Sequence, residues 1–106
     1  MKIEISPAAK KYIKRLKDIQ LKRLFKDVFK EIQLNPYEAG DLKSGDLAGI
    51  YCRDFKYQGI TYEVAYIMTE DQDGTLLLII LAGTRENFYH ELKRYMKISS
   101  RTKRSI

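Results

Sequence analysis

The chain has 106 residues, one cysteine and a formal net charge of +6, from 20 Lys and Arg against 14 Asp and Glu. That length builds one hydrophobic core rather than two, a single cysteine excludes an internal disulfide framework, and no apolar run approaches the roughly 20 residues of a membrane span. These features point to a reducing, cytoplasmic setting, and Met1-Lys2-Ile3-Glu4 has the pattern of a strand rather than of a secretory leader.

From the amino end, Lys2 to Ser6 alternates polar and apolar, the signature of a short strand. Ser6-Pro7 then opens a helix, since Ser accepts from the first unpaired N–H groups and Pro has no N–H to leave unpaired. Ala8, Tyr12, Ile13 and Leu16 form one apolar stripe. After a break near Asp18-Ile19, a second stripe follows with Leu21, Leu24, Phe25, Val28, Phe29 and Ile32. Together they predict a helical hairpin with its apolar sides toward a sheet, ended by Asn35-Pro36 because the residue before a proline disfavours the helical region.

Residues 37–49, rich in Gly, Asp, Lys and Ser, are expected to be a loop. Ile50 to Lys56 and Ile60 to Thr69 are Tyr-, Ile- and Val-rich strands joined by a tight turn at Gln58-Gly59. Asp71-Gln72-Asp73-Gly74 turns the chain into a last strand over Thr75 to Ala82. Gly83 and Thr84 break that strand, and Phe88, Leu92 and Tyr95 recur at helical spacing, so a final helix covers Arg85 to Ile98. The plan is α+β: an N-terminal strand, a helical hairpin, a three-stranded antiparallel meander and a C-terminal helix, β-α-α-β-β-β-α. One domain spans 1–98, with a basic tail at 99–106. The charge is uneven: the last 15 residues hold six cations and no acid, while the first 91 balance at 14 of each sign.

Arg85 is the strongest candidate for chemistry, because it stands where a buried strand delivers the chain to a helix start. A guanidinium there, beside unpaired backbone N–H groups, suits a phosphate; a salt bridge to a neighbouring acid is the equally weighted alternative. Tyr89 and Lys93 follow at i+4 and i+8 on the same side. His90, the single histidine, could move protons near neutral pH, although it shares a face with Lys93, Arg94 and Lys97 and so is expected in solvent. On the strand, Arg53 alternates with Asp54 and Lys56, and alternation alone does not say which face is open. Cys52 has the character of a packing residue. Lys93, Arg94, Lys97 and Lys56 are candidate contacts to a polyanion, and no metal or cofactor motif is present.

Asn35-Pro36-Tyr37, then Leu42-Lys43-Ser44-Gly45-Asp46-Leu47-Ala48-Gly49-Ile50-Tyr51, the Tyr-rich hairpin, and Leu81-Ala82-Gly83-Thr84-Arg85-Glu86-Asn87-Phe88-Tyr89 with Leu92-Lys93-Arg94-Tyr95 together resemble the RelE/ParE superfamily of bacterial type II toxins, over residues 2–97. The resemblance implies a small toxin paired with an antitoxin and, for RelE-like members, an endoribonuclease that cuts messenger RNA on the ribosome. There the RNA's own 2′-hydroxyl attacks phosphorus without metal or cofactor. By position, Arg85 matches the basic residue after the last strand and would stabilise phosphoryl charge, Arg53 would position phosphate, and Tyr89 or His90 would handle protons. Tyr51 falls where another basic residue stands in the family, and Gly59 to Glu63 lacks the arginine usual early in the third strand. The alternatives are a ParE-like inhibitor of DNA gyrase without nuclease activity, and a toxin-fold binding module that has lost activity.

Overall fold

The computed structural model describes the backbone of residues 2–104, and the side chains of that range except at 71 and 98–104. Strand β1 (Lys2–Ile5) leads into helix α1 (Pro7–Arg15). The hydroxyl of the buried Ser6 works in two directions: it accepts from the Ala9 N–H at 3.1 Å, capping α1, and donates to the Ile80 carbonyl at 2.7 Å, pinning the cap to the sheet. Helix α2 (Ile19–Leu34) is capped by Asp18, which accepts from the Gln20 and Leu21 N–H groups. Tyr57 donates its hydroxyl to the same carboxylate at 2.9 Å, and that bond, first among the causes, holds the Asp18 carboxyl below its ordinary value.

Strands β3 (Tyr51–Tyr57), β4 (Ile60–Asp71) and β5 (Gly74–Thr84) form the meander, and α4 (Arg85–Arg104) follows β5 without a linker. The sheet runs in the order β1-β5-β4-β3-β2, where β2 is the short edge strand Asp41–Leu42, with β1 parallel to β5 and every other pairing antiparallel. Helices α1 and α2 cover one face, where Phe25, Ile32, Tyr66, Leu77 and Ile79 are fully buried. Helix α4 covers the other through Phe88 and Leu92, which pack with Ile50, Cys52, Ala65 and Ile80.

A bulge keeps both faces apolar. Ala65 lies opposite Leu81 but Tyr66 lies opposite Ile79, so Ile80 is an extra residue in β5. It lets Ile80 and Leu81 both serve the α4 side before alternation resumes with Ala82 on the hairpin side.

The segment expected to be a loop is more ordered than its composition suggests. It holds a one-turn helix α3 (Pro36–Ala39), a two-residue edge strand β2 (Asp41–Leu42) and a 3-10 turn over Gly45–Leu47. Long-range contacts impose this order: the Tyr66 hydroxyl donates to the Pro36 carbonyl at 2.6 Å, and β2 pairs with Tyr51 and Cys52. Gly40 sits between, with an ordinary φ of −126°. It is glycine for closeness, since a Cβ there would stand 2.7 Å from the Tyr66 oxygen and 2.9 Å from the Cys52 carbonyl. Gly40→Ala should therefore cost about 1–3 kcal/mol, read as a fall in the denaturation midpoint with an unchanged slope.

The final helix begins at Arg85 as expected and continues through Arg104, six residues past the expected end at Ile98. Of the expected tail at 99–106, residues 105 and 106 lie outside the described residues.

Candidate functional site

The hairpin turn decides what surrounds Arg85. Gln58 and Gly59 both have positive φ, 50° and 79°, which is the backbone of a two-residue turn matched to strand twist. That turn pairs Tyr57 with Ile60 and, three steps further, Asp54 with Glu63; Glu63 in turn pairs with Gly83 of β5. Two carboxylates thus lie side by side on the α4 face of the sheet. Alone they would repel each other, and Glu63 is 1% exposed.

Arg85 resolves the conflict. Its Nε donates to Glu63 Oε2 at 2.7 Å and its Nη2 donates to Asp54 Oδ2 at 2.5 Å. The Glu63 bond, foremost among several causes, raises the guanidinium further above its already high ordinary value. One turn along α4, Tyr89 donates its hydroxyl to the same Glu63 oxygen at 3.3 Å. Burial first, then the Glu63 charge, raises the phenol, so Tyr89 keeps its proton at neutral pH. The Lys43 ammonium lies 5.5 Å from the centre of the Tyr89 ring and closes the cluster with a cation-π contact.

Arg53 is on the other face. It shares that face with Tyr51, Phe55 and Tyr57, which pack toward α1 and α2. Its Nη2 donates to Glu31 Oε2 of α2 at 2.7 Å and its Nη1 to the Asp54 carbonyl. The sheet therefore stands between the two arginines proposed to share one phosphate, and each is held by acids.

The remaining candidates are spread out. His90, Lys93, Arg94 and Lys97 are exposed along the outer side of α4, away from Phe88 and Leu92, and Lys56 is exposed two residues beyond Asp54 on β3. Cys52 is 3% exposed, and burial pushes its thiol up to about 11, so at neutral pH it is a protonated packing group. What sequence reasoning missed is the acid pair. Its signal was available: once Gln58-Gly59 is accepted as a two-residue turn, counting outward sets Asp54 against Glu63 and requires a cation nearby.

A model of the ParE-like toxins of type II bacterial toxin-antitoxin systems matches residues 3–93. Among solved structures, a YoeB/ParE toxin from Agrobacterium tumefaciens superposes with a TM-score of 0.66 at 14% identity, covering 80% of this chain and 99% of that one. The toxin-antitoxin complex RelBE2 from Mycobacterium tuberculosis supplies a second neighbour, with a TM-score of 0.59 at 19% identity, covering 79% and 96% respectively. At such identities these two likenesses are likenesses of fold. No curated protein matches the chain. The family match spans nearly the whole described fold, from β1 to the third turn of α4, and on that ground the chain belongs to the ParE-like toxins of type II bacterial toxin-antitoxin systems.

Proposed function

We propose that this toxin acts by binding a protein target rather than by cutting RNA, with DNA gyrase as the target that its ParE-like kinship implies, and that a cognate antitoxin holds it inactive. One observation carries the reading: Arg85 is bonded to Glu63 and Asp54. Those three charges sum to −1, and the Lys43 ammonium beside Tyr89 brings the cluster only to zero, so it offers an incoming phosphate no net attraction. In-line attack by a 2′-hydroxyl needs cations converging on the phosphoryl oxygens. Arg53, tied to Glu31 across the sheet, does not join Arg85 in supplying them. Likeness of fold to the toxin of the RelBE2 toxin-antitoxin complex, together with the family match, supports an antitoxin as partner, and no described helix is long and apolar enough to cross a membrane.

Two assays on the purified toxin test this directly, one of gyrase supercoiling and the other of messenger RNA bound to translating ribosomes. The expected outcome is loss of supercoiling with messages left intact. Codon-positioned cuts in the message, with supercoiling unaffected, would overturn the reading.

A further inference from the structure

Summed element by element, the net charge belongs to the helical hairpin. Residues 7–34, which span α1 and α2, hold nine cations and three acids, whereas residues 35–106 hold ten of each, so the hairpin accounts for the whole +6 and the cations near the carboxyl end are balanced within 35–106. On α1, Lys10, Lys11, Lys14 and Arg15 are exposed on the side away from Ala9 and Ile13. On α2, Arg23, Lys26 and Lys30 recur at i, i+3 and i+7, opposite the buried stripe of Leu21, Phe25, Val28 and Ile32. None of these seven makes an ion pair with a described residue. Two of the hairpin's three acids are engaged, Asp18 in capping α2 and Glu31 with Arg53.

We infer that this outer face of the hairpin is a binding surface for the phosphate backbone of duplex DNA. The inference rests on the gyrase reading, since a target that works on DNA is met where DNA is held, and it deepens that reading by adding a nucleic acid contact on the face of the sheet away from Arg85. Three features select that occupant. Unpaired cations in two rows, on helices joined by the Tyr12-Phe25 contact, suit a polyanion of fixed charge spacing and gain from releasing its counterions. The hairpin's rings, Tyr12, Phe25 and Phe29, pack in or against the core and leave no platform for stacking the bases of a single strand. Its large exposed hydrophobics, Ile19 and Leu34, stand at opposite ends of α2, roughly 22 Å apart by helical rise, so the face has no apolar centre to anchor a protein partner.

The test uses the full toxin and a short labelled DNA duplex of mixed sequence, with affinity read by fluorescence anisotropy over a series of salt concentrations. Binding is expected that is indifferent to sequence and whose logarithm falls linearly with the logarithm of salt. Arg23→Ala/Lys26→Ala/Lys30→Ala should weaken it by about tenfold or more and lower the slope by about three, and Lys10→Ala/Lys14→Ala should lower the slope by about two. Neither variant should melt below the wild type, because the side chains removed are exposed and unpaired. In the supercoiling assay the α2 variant should need more toxin for the same inhibition. Absence of duplex binding, or wild-type affinity in both hairpin variants, overturns this proposal; the gyrase reading survives if supercoiling is still lost. Duplex binding through the hairpin by a toxin that leaves supercoiling intact overturns the gyrase reading and keeps the DNA site. A larger loss in Lys93→Ala/Arg94→Ala/Lys97→Ala than in either hairpin variant moves the duplex to α4 and overturns the proposal. Tighter binding of an RNA duplex, a single strand or poly-glutamate than of the DNA duplex assigns the face to another partner and also overturns it.

Discussion

Arg85→Ala is expected to melt about 5–10 °C below the wild-type protein, a large shift for a chain of this size. The cause lies in Glu63 rather than in Arg85. At 1% exposure, Glu63 has the guanidinium and the Tyr89 hydroxyl as its side-chain partners, the second at 3.3 Å. Removing the cation strands a buried carboxylate beside Asp54, and a buried charge that loses its counter-ion costs far more than the intact pair was worth. Adding Glu63→Gln to Arg85→Ala removes that charge and should recover much of the lost stability, so the double variant melts above the single one. Differential scanning calorimetry of the wild type and the two variants decides the matter. An unchanged melting temperature in Arg85→Ala, with toxicity abolished, would mean that the guanidinium serves a ligand and not the fold.

The second large effect belongs to Phe25. It is wholly buried at the centre of the α2 face, with ring centroids 4.9 Å from Phe55, 5.7 Å from Tyr62 and 5.9 Å from Tyr12, all near edge-to-face. These contacts join α1, α2, β3 and β4 through one side chain. Phe25→Ala removes the ring and leaves a cavity that four elements cannot all close, for a loss of about 3–5 kcal/mol. Against a total of about 5–15 kcal/mol for a domain, the variant should be populated in part as unfolded chain at 37 °C. Chemical denaturation measures the loss, and Phe25→Leu, which retains most of the volume, should fall between the two. A cost no larger than that of Tyr37→Ala, at an exposed ring, would show that the helical hairpin is not held through this residue.

Both predictions depend on pairings that differ in how far the sequence discloses them. The Phe25 position in an apolar stripe follows from helical spacing, and the cap at Ser6 follows from residue type, because a helix makes its hydrogen bonds within four residues and its signals are therefore local. The same holds for the Gln58-Gly59 turn, whose backbone sets strand register by counting. The bulge at Ile80 and the order within 37–49 have no such local cause. The order within 37–49 arises because Tyr66 of β4 holds Pro36 and Tyr51 and Cys52 of β3 hold β2, and the bulge belongs to the pairing of β4 with β5.

The sequence by itself therefore determined the α+β plan, the strand-to-helix junction at Arg85 and the basic outer side of α4. Only the tertiary structure decided what the two arginines do. A strand's alternating faces are equivalent until something packs on one of them, so nothing near Arg53 in the chain shows that its face belongs to α2 and Glu31. The packing of α4 on the opposite face brings Arg85 over the acid pair of Asp54 and Glu63. Which charge meets which depends on residues 22 to 31 positions apart, and such distances close only when the core forms.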